Sequence, residues 1–168
     1  SFKKKPLVVL VGEAPGPWGC RFSGIPFTGE RQLVMNVLPF SGDRSSIDTP
    51  EIRVNRSTPY VSNSARLFWR TMLGYHPNFL VWNCVPVHPY KQGSILSVRT
   101  PTTREVLEFS DILSAIFSLL RPKRIIAVGR KAQFSLNHLR IPCSYVRHPS
   151  QGGAAKFRIG TSKVFRES

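Results

Sequence analysis

The chain has 168 residues and a mass of 18.9 kDa, enough to bury a core without disulfides or metals, and this length favours one domain. Hydrophobic residues make up 41% and charged residues 20%, which excludes a disordered tail, and no apolar run approaches the span of a bilayer, which excludes a transmembrane helix. The 24 Lys and Arg against 9 Asp and Glu leave a formal charge of +15, a field that attracts and steers a polyanionic partner.

In chain order, Leu7-Val8-Val9-Leu10-Val11 is a continuous β-branched-rich run closed by glycine, the pattern of a strand buried on both faces. Residues 29–38 carry a helical pattern. Residues 40–62 are polar and turn-rich, a long irregular stretch of the kind that is functional or mobile. A helix is expected over 63–73, with Asn63 as N-cap and Ala65, Leu67, Phe68 and Met72 inward. Phe79–Asn83 reads as a second strand. The strongest helix runs over 103–120: Thr102 or Thr103 caps it, acids fall in its first half, and Pro122 ends it. Its apolar stripe, Val106, Leu107, Phe109, Ile112, Leu113, Ile116, Phe117, Leu119 and Leu120, is read as core. Arg124–Gly129 is a third strand, 130–139 a shorter helix, and Ser144–Val146 a short fourth strand. Alternating strands and helices predict an α/β fold, a three-layer α/β/α sandwich around a central, mainly parallel four-stranded sheet.

The charge is unevenly spread. Residues 1–51 carry six basic and five acidic side chains, and 52–104 seven basic and none acidic. Residues 112–168 carry eleven basic groups against Glu167 alone. No block of like charge exceeds Lys3-Lys4-Lys5, so a basic folded face is expected rather than a tail. Cys20, Cys84 and Cys143 are scattered, which argues against a disulfide framework, a zinc ribbon or a four-cysteine iron–sulfur site and fits a reducing intracellular compartment. No metal and no cofactor is expected.

In open parallel sheets, ligands bind beyond the carboxyl ends of the strands. Four stretches converge there: Gly12-Glu13-Ala14-Pro15-Gly16, Asn83, Gly129-Arg130 and His148-Pro149-Ser150. Each alone has an ordinary reading as a turn, a strand end or a capped surface residue. The glycine turn matches neither G-x-G-x-x-G nor G-x-x-x-x-G-K-[ST], and no Lys-Ser/Thr follows to grip phosphates and Mg²⁺.

Taken together, the motifs resemble a known family. Gly12-Glu13-Ala14-Pro15-Gly16, Gly24-Ile25-Pro26-Phe27-Thr28-Gly29, Asn83 with Val85-Pro86, Ala127-Val128-Gly129-Arg130-Lys131-Ala132 and His148-Pro149-Ser150 are similar, in order and spacing from about residue 7 to 157, to the uracil-DNA glycosylase superfamily. The likeness is greatest to its branch with GEAPG and PF-G motifs. That branch carries an iron–sulfur cluster, for which this chain lacks the four cysteines.

The resemblance implies a monofunctional glycosylase that flips uracil out of DNA and hydrolyses its N-glycosidic bond, leaving an abasic site. Phe27 would stack on the base, and Asn83 would read its O4 and N3 edge, which an amide does with donor and acceptor together. His148 would donate to O2 of the leaving uracil anion. Backbone around Gly12, Glu13 and Ala14 would complete the cradle. In the best-known branch an aspartate serves the water; that place is Ala14 here, with Glu13 adjacent as the water-positioning or base-binding residue. The tyrosine that shields against the thymine methyl in that branch aligns with Gly16, and Trp18 stands nearby as a substitute or as core. Ser150 would hold a DNA phosphate, and Gln151, Gly152, Gly153, Lys156 and Arg158 would form a basic loop entering the duplex, with a wedge residue among 151–157. Residues 40–62, with Arg44, Arg53 and Arg56, form an insertion whose role is open. The implied partners are single- or double-stranded DNA containing uracil, with free uracil as product, no membrane, a monomeric protein, and a bacterial cytoplasm or nucleoid or another DNA-containing compartment. Two alternatives stay open: a glycosylase for hypoxanthine, xanthine or mismatched thymine, and a damage- or abasic-site-binding protein with little turnover.

Overall fold

The computed structural model describes residues 8–46 and 58–166. Leu7, Lys3–Lys5, Arg53 and Arg56 lie outside them. Four strands, β1 (Val8–Gly12), β2 (Phe79–Asn83), β3 (Arg124–Val128) and β4 (Ser144–Val146), form one sheet in the order β2-β1-β3-β4. Every pairing is parallel. The register sets Gly12 opposite Asn83 and Val11 opposite both Trp82 and Ala127, so the strand ends share one edge.

Seven α-helices accompany the sheet among the described residues: α1 (Cys20–Ser23), α2 (Glu30–Val34), α3 (Asn63–Met72), α4 (Thr103–Glu108), α5 (Ser110–Leu120), α6 (Arg130–His138) and α7 (Ala154–Arg166). The alternation of β1 builds the layers. Val8 and Leu10 face Phe68, Trp69 and Met72 of α3 and Phe157 and Val164 of α7. Val9 and Val11 face Val106 of α4, Leu113, Phe117 and Leu120 of α5, and Ala132 and Leu136 of α6. All four β1 residues are fully buried, each such side chain contributing about 1.5–3 kcal/mol of transfer free energy. The three-layer arrangement is thus that of the sequence reading, with the sheet wholly parallel.

Local details differ. Ser62, not Asn63, caps α3, its Oγ accepting from the Ala65 amide at 3.3 Å. The expected 29–38 helix is confined to α2. Thr102 caps α4 in a capping box: its Oγ1 accepts from the Glu105 amide, and the Glu105 carboxylate accepts from the Thr102 amide at 2.8 Å. The 103–120 segment is two helices broken at Phe109; apolar residues keep helical phase across the break, so periodicity does not reveal it. Its stripe is also not all core, because Ile112 and Leu119 are exposed.

The described part of the 40–62 insertion is pinned from below. Glu30 is fully buried at the start of α2, and its Oε1 accepts from the amides of Ser45 at 2.8 Å and Ser46 at 2.6 Å. A carboxylate held by backbone donors fixes that loop to α2.

Candidate active site

Gly12 ends β1 at the centre of the sheet edge. A Cβ placed there would stand 2.5 Å from Asn83 Oδ1 and 2.6 Å from Phe27 Cε2. Only glycine fits, and the close approach brings Gly12, the Asn83 amide and the Phe27 ring together. Gly12 and Asn83 are far apart in sequence; parallel pairing of β1 with β2 unites them.

Phe27 is held in an uncommon conformation. Its φ is +53°, a left-handed backbone that costs a bulky residue about 1–2 kcal/mol. Its neighbours supply the restraint. Thr28 Oγ1 accepts from Trp69 Nε1 at 2.9 Å, Thr28 Oγ1 donates to the Pro26 carbonyl at 3.2 Å, and Ser23 Oγ donates to the Thr28 carbonyl at 2.6 Å. One face of the Phe27 ring stacks on Phe68 at 4.5 Å, and His148 lies at its side with ring centroids 5.4 Å apart. The strain therefore aims an aromatic ring at the place where the strand ends meet.

His148 follows β4. Ser150 contacts its Nδ1 twice, through the backbone amide at 3.2 Å and the hydroxyl at 2.7 Å. An amide N–H only donates, so Nδ1 is the bare nitrogen and Nε2 carries the proton. Burial, with the Arg147 charge beside it, pushes the ring's pKa down to about 4. At neutral pH His148 is a neutral imidazole with an Nε2–H donor. Beneath it sits Gly153, where a Cβ would lie 1.9 Å from the His148 carbonyl oxygen. Gly153 is buried, whereas the sequence reading placed it in an exposed loop. Gln151 (φ +51°) and Gly152 (φ +73°) make an exposed turn. The rest of that supposed loop is helical: Lys156 and Arg158 ride on the solvent side of α7 while Phe157 is buried between them. Ser150, read as a phosphate contact, spends its hydroxyl on His148.

The chain after β1 is tied to the exit of β2. The Gly12 carbonyl accepts from the Cys84 amide and the Glu13 carbonyl from the Val85 amide, both at 2.9 Å. The Glu13 side chain is half-buried, and this burial raises its carboxyl pKa against the pull of Lys131. Ala14 packs beside the core on the α6 side. His88 bridges the Pro15 carbonyl at 2.7 Å and the Ile95 carbonyl at 3.1 Å, joining the first motif to the loop after β2.

One site residue escaped the sequence reading. Asn83 Nδ2 donates to Cys20 Sγ at 3.7 Å, so Cys20 orients the amide from α1, a helix too short for periodicity to show. Burial pushes the Cys20 thiol up to about 12, and the same holds for Cys84. Both stay protonated at neutral pH. A four-thiolate iron–sulfur cluster has no ligand set in a chain with three cysteines. Trp18, a candidate thymine shield, packs on Tyr60 with centroids 4.6 Å apart.

The sequence also matches, over residues 1–166, the family described as the Uracil DNA glycosylase superfamily. The chain belongs to that superfamily. Members of that superfamily act on DNA, by hydrolysis of N-glycosidic bonds. Among solved structures, one similar to this superfamily member is the crystal structure of wild-type Pedobacter heparinus SMUG2, at 15% identity and a TM-score of 0.40, covering 98% of this chain and 77% of that one. No curated protein matches the sequence.

Proposed function

We propose that this protein excises uracil: it flips the nucleotide out of DNA and hydrolyses the bond between C1′ of the sugar and N1 of the base. The observation that carries this reading is the meeting of Phe27 and Asn83 at Gly12, with the His148 ring beside that of Phe27. Phe27 stacks on the flipped base. Asn83 offers Nδ2 to O4 and Oδ1 to the N3 proton, a pattern cytosine does not match. As the bond breaks, its electron pair leaves with uracil, and the charge spreads to O2. The His148 Nε2–H donates there. A neutral donor suits this task because the base leaves as an anion with no proton yet transferred. Water adds its oxygen to C1′ and gives up one proton, which ends on the departed uracil anion, and Glu13, half-buried beside Gly12, positions that water. All these groups stand on one edge of one sheet, which supports a single domain acting as a monomer. Gln151 and Gly152 lie exposed just after His148, Lys156 and Arg158 lie on the solvent side of α7, and all four are proposed to meet the DNA.

The test is incubation with uracil-containing DNA followed by hot alkali. Strand breaks at uracil are expected, and an excess of enzyme that leaves none would overturn the reading. His148→Ala is expected to cost activity far more than DNA affinity; equal losses would instead indicate a binding protein.

One observation favours a second specificity. A Cβ at Gly16 would have nothing within 4 Å, so the place of the shielding tyrosine is open. A larger base, such as mismatched thymine, hypoxanthine or xanthine, is the alternative substrate, and cleavage across a panel of these bases decides.

A further inference from the structure

The flank of the molecule beside His148 carries a feature that base excision does not use. Along α6, Arg130, Gln133, Phe134 and Asn137 recur at helical spacing on one face, while Ala132, Ser135 and Leu136 are buried. On β4, Val146 packs toward α3 and α7, so Tyr145, its neighbour in an alternating strand, faces the α6 side. Arg130, Gln133, Phe134, Asn137 and Tyr145 together line a concave surface of about 500 Å³. Phe134 is 40% exposed and Tyr145 42% exposed. Two large rings open to water in one groove, with planar polar groups between them, form an amphipathic surface shaped for flat aromatic ligands.

Charge and position indicate the ligand. No Asp or Glu occurs between Asp111 and Glu167, so the groove sits in an unbroken positive stretch with Arg140 and Arg147 close in sequence. The groove also begins at the site. Arg130 follows Gly129, where a Cβ would be 3.7 Å from His148 Cβ, and Tyr145 precedes His148 by three residues, roughly 10 Å of extended chain. At about 3.4 Å per stacked nucleotide, that reaches bases two or three positions from the target.

We propose that this groove is a second nucleic-acid contact, which takes unpaired bases of the strand that enters the active site. The inference rests on the DNA-directed reading of that site. Bases stack on Phe134 and Tyr145, the Gln133 and Asn137 amides meet base edges, and Arg130 meets a phosphate. Base faces in a duplex are already covered by their neighbours, so such a surface favours single-stranded or frayed DNA.

The test uses the full chain and its Phe134→Ala/Tyr145→Ala variant. Binding is measured to a labelled oligothymidylate strand and to the same strand paired with oligodeoxyadenylate, with uracil excision followed in parallel. Both side chains are exposed, so the fold is retained, as circular dichroism checks; Tyr145→Ala alone supplies the same comparison. Single-strand affinity is expected to fall about tenfold or more, and duplex affinity by less than about threefold. The salt slope stays unchanged, because no charge is removed, and Tyr145→Phe keeps wild-type binding. Unchanged single-strand binding overturns the inference and leaves the groove to a protein partner, and an equal fall on both DNAs also overturns it. If the parent chain excises uracil while the variant binds single strands normally, only the groove assignment fails. If the parent chain neither excises nor binds, both fail.

Discussion

At the residue scale, the site depends on what Gly12 lacks. Any side chain there must displace both the Asn83 amide and the Phe27 ring, since its Cβ would lie 2.5 Å from one and 2.6 Å from the other. Gly12→Ala is expected to cut excision by about 100-fold, the usual penalty for misplacing reacting groups by an ångström. The check is kcat and KM on uracil DNA beside a thermal melt; activity within a few-fold of the parent would refute the packing account. His148 gives the pH prediction. The folded protein holds the ring neutral down to about 4, whereas the unfolded chain protonates it near the ordinary 6.5. The unfolded state therefore binds the extra proton between those values, and stability declines as pH falls through that window, by about 3 kcal/mol in all. Above and below the window this term is flat. Excision should hold from about pH 8 to about pH 5 and fall beyond it. An acid limb in activity centred near 6.5, or a His148 NMR titration there, would contradict the neutral-donor assignment.

At the element scale, the turn between β4 and α7 sets where His148 stands. Gly153 lies beneath the His148 carbonyl and its own carbonyl accepts from the Phe157 amide at 2.8 Å, anchoring α7. A Cβ there meets backbone at 1.9 Å, and backbone cannot swing aside as a side-chain end does. Gly153→Ala is expected to lose about 2–3 kcal/mol of stability and most excision activity, whereas Gly152→Ala leaves the packing intact and strains only an exposed turn. Denaturant unfolding of the two variants separates them; equal losses would show that the turn as a whole, not the buried contact, is at stake. This element also shows where sequence reading stops. The glycines of 151–153 announce a turn, yet nothing local says that one of them is buried or that the basic residues after it continue as a helix. The 103–120 stripe fails in the opposite way: its periodicity is genuine, but it neither reveals the break at Phe109 nor says which apolar residues, such as Leu119, find no partner.

At the scale of the whole molecule, the charge of +15 governs affinity and not identity. Phosphate contacts release counterions, so DNA affinity is expected to fall about 10³–10⁵-fold between roughly 50 and 200 mM salt if ~6–10 phosphates are neutralised. Fluorescence anisotropy across a salt series measures the slope, and a nearly flat dependence would place the basic groups away from the DNA. The slope is shared by uracil excision, excision of another base and simple damage binding. Choosing among those depends on the Asn83, Phe27 and His148 constellation.

The sequence by itself determined the layered parallel α/β fold, the four strands, and the five ordered motifs, four of them at strand ends, because strand burial, glycine turns and motif order are local properties. It also determined the family, with which the match over residues 1–166 agrees. Only the tertiary structure decided that Cys20 holds Asn83, that Thr28 and Trp69 restrain a strained Phe27, that Ser150 fixes the tautomer of His148, and that Gly153 is buried. Each of these is a contact between residues brought together by sheet register or by a tight turn, and the distances that matter there are tenths of an ångström. Neither spacing nor composition encodes such distances; packing does.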